Sequence, residues 1–231
     1  MKRILLVSIA GAMLASILSA EPVCVQDTLE NYITNNVVCT IGDKIFSNWG
    51  YSSATTTAAQ VNVVPTPGPT PNLDPAVQFS SGAWNAFPGQ TKDATIFFTV
   101  AAPAGIMLIE DAGVVVAGSV TGTGTGTVDE HMLNPNTNAD IPGSPLHAAV
   151  TVGPTNPHVD FVSAGGVPMT SLNVQTFVHV SAGSGSHTTI SAITEDFSQI
   201  TAAPEPVETL LIGSGILALG LVWRKRTSHQ S

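Results

Sequence analysis

Residues 170–181 read Thr-Ser-Leu-Asn-Val-Gln-Thr-Phe-Val-His-Val-Ser, and this stretch decides the fold class of the chain. Apolar or β-branched residues alternate there with polar or aromatic ones over nine positions. Successive side chains of a strand point to opposite faces, so this period of two predicts a half-buried strand. One face would carry Leu172, Val174, Thr176, Val178 and Val180, and the other Asn173, Gln175, Phe177 and His179.

Seven further stretches have a strand-forming composition, and clusters of Pro, Gly, Asn and Asp separate them. Short strands with turn signals between them favour an all-β antiparallel sandwich or jelly roll over a βαβ fold. The additional predicted strands are Ala59–Val64, Ala76–Ser80, Ala94–Val100, Ile106–Glu110, Val114–Val120, His147–Val152 and Thr188–Phe197.

One short helix is predicted before the first strands, over Thr28–Asn35. Asp27 can cap it, and Glu30 three residues later completes the pattern of a capping box. Cys24 and Cys39 bracket the helix and are the only cysteines of the chain. In an exported protein such a pair indicates one structural disulfide.

Charged residues are scarce and unevenly placed along the 231 residues of the chain. Only 10% of the residues are charged, against roughly 25% in a typical soluble domain. Between Glu21 and Ala203 there are 14 acidic residues and 2 lysines, a formal charge of −12. Such a surface repels polyanions, which argues against nucleic-acid binding. The other basic residues lie near the two chain ends.

Residues 1–20 have the pattern of a secretory signal peptide. Lys2 and Arg3 precede an apolar run, Ile4–Leu18, and the small residue Ala20 stands before Glu21. A positive start, an apolar centre and a small residue at the cleavage position are typical of such signals. We expect cleavage between Ala20 and Glu21, and an uncleaved N-terminal anchor is the alternative.

A second apolar run, Leu210–Trp223, lies near the C-terminus, and a basic cluster follows it directly. As a helix, its 14 residues would rise about 21 Å, short of the roughly 30 Å bilayer core, so its length alone also fits a buried helix. An aromatic residue beside the chain's densest basic cluster, however, is typical of a membrane interface with a cytoplasmic flank. We therefore expect a transmembrane helix at about 207–223, with the region before it outside the cytoplasm.

The order of parts at this end resembles the PEP-CTERM sorting signal of Gram-negative bacteria. Pro-Glu-Pro, the apolar run and the basic cluster follow one another in the stretch PEPVETLLIGSGILALGLVWRKR. The resemblance implies a membrane enzyme, an exosortase, that recognises the signal, removes the helix and sends the protein from the inner membrane to the cell surface or exopolysaccharide. A single-span anchor that is never cut is the alternative. The residues concerned are Pro204, Glu205 and Pro206 in the sorting motif, and Arg224, Lys225 and Arg226 in the stop-transfer cluster.

The start of the central region also resembles a recurrent ectodomain type among PEP-CTERM proteins. The matching parts are a Leu-x-x-Tyr-Ile helix at 29–33, the run Cys-Thr-Ile-Gly-Asp-Lys-Ile-Phe-Ser at 39–47, and Phe-Ser-Gln at 197–199. This type implies no activity, so the match bears on family and not on function. The resulting organisation is a signal peptide at 1–20, an extracytoplasmic β domain at 21–202 and a sorting signal at 203–231.

Four groups of residues could suggest a binding or catalytic site. The run Thr121–Thr127 alternates Thr and Gly but lacks the lysine of a phosphate-binding loop, so a strand edge or hairpin is favoured. The segment Asn134–Asp140 places side-chain oxygens at alternate positions, as a calcium loop would, with Asp129 and Glu130 upstream. It lacks the glycine and glutamate of an EF-hand, which favours an ordinary Asx-rich loop.

The other two groups are the histidines and the acidic doublets. The histidines show neither an H-E-x-x-H pattern nor cysteine partners, which disfavours zinc, and His179 is expected to be solvated. The doublets cannot place both carboxylates in one site, because neighbours on a strand face opposite ways. We expect them to solvate strand ends, and we expect no metal and no cofactor. The doublets are Glu110–Asp111, Asp129–Glu130 and Glu195–Asp196.

These observations favour an exported surface protein without a catalytic role. The alternative is a carbohydrate-binding module displayed in the extracellular polysaccharide, with Trp84 as a candidate for stacking on a sugar ring. Packing of Trp84 in the core between two sheets is the more common use of such a residue. An extracellular hydrolase is a third hypothesis, which the absence of a G-x-S-x-G motif disfavours.

Overall fold

A computed structural model of the protein describes residues 21–66, 75–103, 107–150, 158–160 and 166–201. These ranges contain thirteen β-strands, one α-helix and one 3-10 turn. Within them no helix has the length and apolar character needed to cross a membrane. The predicted signal peptide up to Ala20, the sorting motif, the transmembrane helix and the basic cluster lie outside the described residues.

The strands are β1 (Asp27–Thr28), β2 (Cys39–Ile41), β3 (Lys44–Ser52), β4 (Asn62–Thr66), β5 (Ala76–Ser80), β6 (Asn85–Ala86), β7 (Thr91–Ala101), β8 (Met107–Thr121), β9 (Thr125–Leu133), β10 (Leu146–Val150), β11 (His158–Asp160), β12 (Ser171–Ser181) and β13 (His187–Thr201). The helix α1 spans Leu29–Thr34, and the 3-10 turn spans Ala58–Gln60.

The strands form two sheets in which the paired strands run antiparallel. The six-stranded sheet has the order β10-β9-β12-β7-β3-β2. The seven-stranded sheet has the order β1-β4-β5-β13-β8-β11, with β6 also paired to β13. Their inner faces share one hydrophobic core. The prediction of an all-β, sandwich-like antiparallel domain is therefore confirmed.

Strand β12, which contains the stretch that opened the sequence analysis, lies in the middle of the six-stranded sheet. It pairs with β7 along one side and β9 along the other. The five residues of its predicted inner face are at most 2% exposed, which confirms the alternation. The opposite face of β12 therefore belongs to the outer surface of the sheet.

Large aromatic side chains join the two sheets across the core. Phe46 and Phe98 from the six-stranded sheet contact Phe197 of the other sheet, with ring centroids 6.2 and 6.0 Å apart. Phe79 of the seven-stranded sheet lies 5.8 Å from Phe98. These distances are in the range of favourable aromatic pairs, so the contacts hold the sheets together.

Several strand boundaries differ from the prediction. The two strands expected at 106–110 and 114–120 are one continuous strand, β8. Ser198 pairs with Asp111 and Gln199 with Ile109, so Glu110 is an extra residue that forms a β-bulge, and the strand continues past it. Strands β3 and β9 were not predicted. A bulge interrupts the alternation of β3. In β9, the buried Glu130 is a charged residue type at an inward position, so the inner face does not read as apolar in the sequence.

The helix begins one residue later than predicted, and its cap is a different residue. Thr28 is the N-cap, and its Oγ1 accepts a hydrogen bond from the backbone N–H of Asn31. Asp27 instead accepts hydrogen bonds from the backbone N–H of Thr28 and the side-chain amide of Asn31. The prediction of Asp27 as the cap is therefore wrong, since the chain at 27–28 is extended and pairs with β4.

The predicted disulfide between Cys24 and Cys39 is present, with a sequence separation of 15. Both cysteines are buried. The bond ties the segment before α1 to β2, so the helix is held against the edge of the sandwich.

Candidate functional site

Several residues in the stretches that carry the ectodomain resemblance belong to the core. Leu29 and Tyr32 of α1 are buried, and the Tyr32 ring packs edge-on against Trp49 with centroids 4.8 Å apart. Phe46 is buried among Trp49, Phe98 and Phe197. These buried residues therefore dock the helix on the sandwich.

Trp84 does not form a sugar-stacking surface, because its side chain is only 1% exposed. Its backbone carbonyl accepts a hydrogen bond from Ile190 of β13, which fixes the segment against the seven-stranded sheet. The stacking hypothesis for Trp84 is therefore wrong, and the core-packing interpretation is confirmed.

Two of the predicted solvating acids lie in the core. Glu130 of β9 and Glu195 of β13 are fully buried, whereas Asp129 faces outward and pairs with His147. The alternation of strand side chains is the reason, because it sends one member of a doublet inward. The expectation that these doublets solvate strand ends is wrong for Glu130 and Glu195.

The two buried carboxyl groups and one hydroxyl form a polar cluster that we call the acid pair region: Glu130, Thr176 and Glu195. Thr176 lies opposite Glu130 in the pairing of β12 with β9. Its Oγ1 donates a 2.6 Å hydrogen bond to Oε1 of Glu195, across the core. Among the described residues, both carboxyl oxygens of Glu130 and Oε2 of Glu195 have no hydrogen-bond partner.

Burial raises the pKa of both glutamates. Desolvation raises the pKa of Glu195 to about 8, while the Thr176 hydrogen bond lowers it and Asp196 raises it further. Desolvation also raises the pKa of Glu130 well above its usual range, and the charges of Glu195 and Asp196 add to this effect. The acid pair is therefore protonated near neutral pH. Full burial leaves it without access to a substrate, so it is a structural feature of the core.

The Asx-rich loop at 134–140 uses its side-chain oxygens to close itself. Oδ1 of Asn134 accepts a hydrogen bond from the backbone of Asn136, and Oδ1 of Asp140 accepts one from the Ser144 hydroxyl at 2.8 Å. Asp140 also contacts His131. Across the described ranges, no three His, Cys, Asp or Glu side chains converge as metal ligands would. The upstream acids 129 and 130 do not reach this loop, since one pairs with a histidine and the other is in the core.

The run Thr121–Thr127 forms the end of β8, a turn and the start of β9. These two strands belong to different sheets, so the run crosses between the sheets and does not form a hairpin. A Cβ on Gly124 would lie 1.9 Å from Oγ1 of Thr188. The glycines therefore permit close packing against β13, and a phosphate-binding role has no support here.

Three histidines contact aspartate side chains in or beside the six-stranded sheet. His179 faces outward as predicted and contacts Asp93, its cross-strand neighbour on β7. The pairs involve residues of β7, β9, β10 and β12 and the loop residue Asp140. The pairs are His131–Asp140, His147–Asp129 and His179–Asp93.

A shallow groove lies on this outer face, and the sequence analysis did not predict it. Its volume is about 270 Å³. The polar side chains of its described lining are four amides and one hydroxyl, with no charged group. We call it the amide groove, and its lining residues are Asn48, Phe97, Phe98, Thr99, Asn138, Asn173, Val174 and Gln175.

A bulge in β3 directs Asn48 to the amide groove. Ser47 pairs with Thr99 and Gly50 with Phe97, so β3 has one extra residue between these positions. Regular alternation from the buried Phe46 would turn Asn48 inward and Trp49 outward. The bulge reverses this, because Trp49 is buried and Asn48 is exposed with a φ of 55°. A simple period-two pattern cannot reveal such a position, which is why sequence reasoning missed it.

Hydrogen bonds join the groove side chains across three adjacent strands. Nδ2 of Asn48 donates to Oγ1 of Thr99 at 3.2 Å, and that hydroxyl donates to Oδ1 of Asn173 at 2.9 Å. Within the described part of the chain, Oδ1 of Asn48, Nδ2 of Asn173 and the Gln175 side-chain amide form no hydrogen bond. The groove therefore presents oriented donors and acceptors toward solvent.

No family model matches the chain, and no curated protein matches it. Solved structures with some likeness include TmCBM61 in complex with β-1,4-galactotriose, at 18% identity and a TM-score of 0.28 over 68% of this chain and 90% of that one. Another is the family 11 carbohydrate-binding module of Clostridium thermocellum with a mixed-linked tetrasaccharide, at 16% identity, TM-score 0.26, 67% of this chain and 89% of that one. A third is the enzymatically active domain of bacteriophage CBA120 tailspike protein 4, at 16% identity, TM-score 0.29, 68% of this chain and 20% of that one. TM-scores this low carry no inference about this chain.

Proposed function

We propose that this protein is an exported, non-catalytic protein of the cell surface or exopolysaccharide matrix, sorted and processed through its C-terminal signal. The observation that carries the proposal is the order of Pro204-Glu205-Pro206, an apolar run and the basic cluster Arg224–Arg226. In this order the parts resemble a PEP-CTERM signal. The runner-up for this region is a plain anchor that is never cut.

The properties of the described region support export. The Cys24–Cys39 disulfide suits an oxidising compartment outside the cytoplasm. The last strand of the described residues, β13, ends at Thr201, three residues before the sorting motif in the sequence. An exosortase would thus act on the connection between the sandwich and the expected membrane helix.

The chemistry of the C-terminal parts explains how sorting would work. Proline disfavours helix, so the two prolines of the motif would favour an extended junction that a membrane enzyme could reach. The apolar run would retain the substrate in the inner membrane, and the basic cluster would stop its transfer.

The test replaces Pro204-Glu205-Pro206 with three alanines in the producing cells. We expect the variant to accumulate at full length in the inner membrane, while the wild-type protein is found outside with both ends removed. Mass spectrometry of the secreted and membrane fractions measures both cuts. The matched control replaces Thr227, Ser228 and His229 with alanines beyond the basic cluster, and should be processed normally. Release of the motif variant at wild-type mass would reject the sorting proposal.

A second candidate function is polysaccharide binding by the β domain, and the amide groove favours it. Amides and hydroxyls on an open sheet face suit a ligand rich in hydroxyl groups. Trp84 has no part in this version of the hypothesis, because it is buried. Co-sedimentation of the wild-type protein with matrix polysaccharide from the producing cells tests the class of ligand, and its absence from the pellet would count against this candidate.

A further inference from the structure

We propose that the amide groove binds an uncharged polysaccharide chain laid along β12. This inference rests on the second candidate function. It assigns that function a binding site, a class of ligand and an orientation of the ligand along β12. The groove is the described surface that combines unsatisfied amides, an uncharged lining and an adjacent exposed aromatic ring.

The first argument is hydrogen-bond chemistry. Each primary amide has donor and acceptor atoms, which matches a sugar hydroxyl because the hydroxyl also donates and accepts. The Asn48–Thr99–Asn173 chain of hydrogen bonds uses one atom of each asparagine amide and leaves the other atom toward the groove. The protein thus orients these amides before any ligand arrives, which lowers the entropy cost of binding.

The second argument is backbone conformation. Three described residues other than glycine have a positive φ, and all three are asparagines. Two of them, Asn48 and Asn138, both with a φ of 55°, line the amide groove from a strand bulge and from a separate loop. Left-handed conformations of non-glycine residues are uncommon, asparagine adopts them more readily than most, and such positions cluster at functional sites. Their convergence on one groove is therefore a second sign of a built site.

The third argument is the shape of the surface. A volume of about 270 Å³ is small for a pocket that encloses a small molecule, so a ligand would lie across the groove. The outward side chains of β12 continue from Asn173 through Gln175 to Phe177, a span of roughly 13 Å at the usual rise per residue. Phe177 is 39% exposed and packs edge-on against His131. Its ring provides an apolar contact for the C–H face of a sugar.

The fourth argument is charge. The groove lining is uncharged, and the surrounding region between Glu21 and Ala203 carries a formal charge of −12. Acidic side chains outnumber lysines by 14 to 2 in that region, and it contains no arginine. The field of these groups opposes an anionic polymer and leaves a neutral one unaffected. The site therefore selects uncharged glycans over alginate-like or pectin-like ones.

The experiment is affinity electrophoresis of the full chain, purified in mild detergent, through gels that contain one polysaccharide each. The neutral probes are a galactan, a glucan and a mannan, and the anionic probes are alginate and polygalacturonate. We expect retardation by at least one neutral polymer and by neither anionic polymer. The variants Gln175→Ala and Asn173→Ala should each raise the dissociation constant about tenfold, as the loss of one hydrogen bond to the ligand does.

The matched control is Gln78→Ala, which removes an amide from the outer face of the seven-stranded sheet. The Gln78 side chain donates to Thr194 of the neighbouring strand, so the control loses a surface amide without changing the groove. Its affinity should equal that of the wild-type protein. Gln175→Ala removes no hydrogen bond between described residues, so we expect this variant to fold. It therefore still tests the groove if Asn173→Ala fails to fold. Far-UV circular dichroism checks that each variant is folded.

Three outcomes would overturn the proposal. If no neutral polymer retards any of the proteins, both the groove as a binding site and the second candidate function are rejected. Retardation by the anionic polymers rejects the charge argument and with it the ligand class. Neutral binding that survives unchanged in folded Gln175→Ala rejects the groove but leaves polysaccharide binding as a function of another surface.

Discussion

Two adjoining regions of the same core differ in chemistry. The aromatic region, formed by Tyr32, Phe46, Trp49, Phe98 and Phe197, is held by ring contacts between the helix and both sheets. The acid pair region lies beside it along β13 and places two carboxyl groups among aliphatic side chains. Apolar packing gains stability at any pH, whereas a buried acid is compatible with folding only while it is protonated. The comparison separates the part of the core that provides stability from the part that makes stability depend on pH.

The largest expected effect comes from removing a ring of the aromatic region. Phe46→Ala should lower the free energy of unfolding by about 3–5 kcal/mol, because it leaves a cavity among Trp49, Phe98 and Phe197. Urea denaturation followed by circular dichroism measures the loss. Phe87→Ala is the control, since Phe87 is 53% exposed and should change stability by no more than about 0.5 kcal/mol. Equal effects of the two substitutions would contradict the assignment of the aromatic region.

The acid pair region should make the protein less stable as the pH rises. Glu195 has a folded pKa of about 8 against 4.5 for the free group, so within that window the folded protein holds a proton that the unfolded chain releases. For Glu195 alone, the free energy of unfolding then falls by about 1.4 kcal/mol for each pH unit between these two pKa values, and Glu130, whose pKa burial also raises, makes the fall steeper. Denaturation curves at several pH values measure this slope.

The substitution Glu195→Gln tests the same region directly. Glutamine keeps the shape of the protonated acid and an acceptor for the Thr176 hydroxyl, so the variant should match the wild type near pH 4 and exceed it at pH 8. Glu30→Gln, on the exposed side of α1, should leave the pH slope unchanged. A wild-type protein equally stable at pH 5 and 8 would show that the buried carboxyls are not protonated in the folded state.

The disulfide stabilises the end of the core on which α1 docks. Replacing Cys24 and Cys39 together with alanine should lower the free energy of unfolding by about 3 kcal/mol, because the bond closes a loop of about 15 residues in the unfolded chain. The loss should equal that caused by reducing the wild-type protein. A much smaller difference in denaturation midpoints would mean that the packing of Tyr32 on Trp49 holds the helix without the bond.

The smallest expected effect concerns the cap of α1. Thr28→Ala should cost about 1 kcal/mol, because the backbone N–H of Asn31 loses its acceptor. Thermal denaturation monitored at 222 nm measures the change. Thr28→Ser keeps the hydroxyl and should restore most of the stability, which a purely steric role of the threonine would not allow.

Sequence reasoning succeeded where local pattern and tertiary packing agree. The alternation of β12 identified its buried face, because nothing interrupts the period of two between Leu172 and Val180. The cysteine count identified the disulfide, since a chain with two cysteines has a single possible pairing. Sequence reasoning failed for β9, because its inward position 130 is a glutamate. It also failed for β3, because one extra residue in that strand exchanges the faces of Asn48 and Trp49.

The candidate site could not be predicted for a related reason. The amide groove is assembled from β3, β7, β12 and the 134–140 loop, and its residues lie up to 127 positions apart in the chain. Asparagine and glutamine in turns and on strand surfaces are ordinary in sequence, so no local signal marks these four. Only the pairing register brings Thr99 beside Asn173 and places Asn48 next to them.

By itself, the sequence determined the fold class, the single disulfide and the acidic character of the central region, and the sorting signals at its two ends stay predictions. These properties depend on composition, on short-range periodicity and on residue order, all of which can be read along the chain. The tertiary structure decided which acids are buried, that Trp84 belongs to the core and where the uncharged groove lies. These depend on register and bulges, and a shift of one residue exchanges the inner and outer faces of a strand.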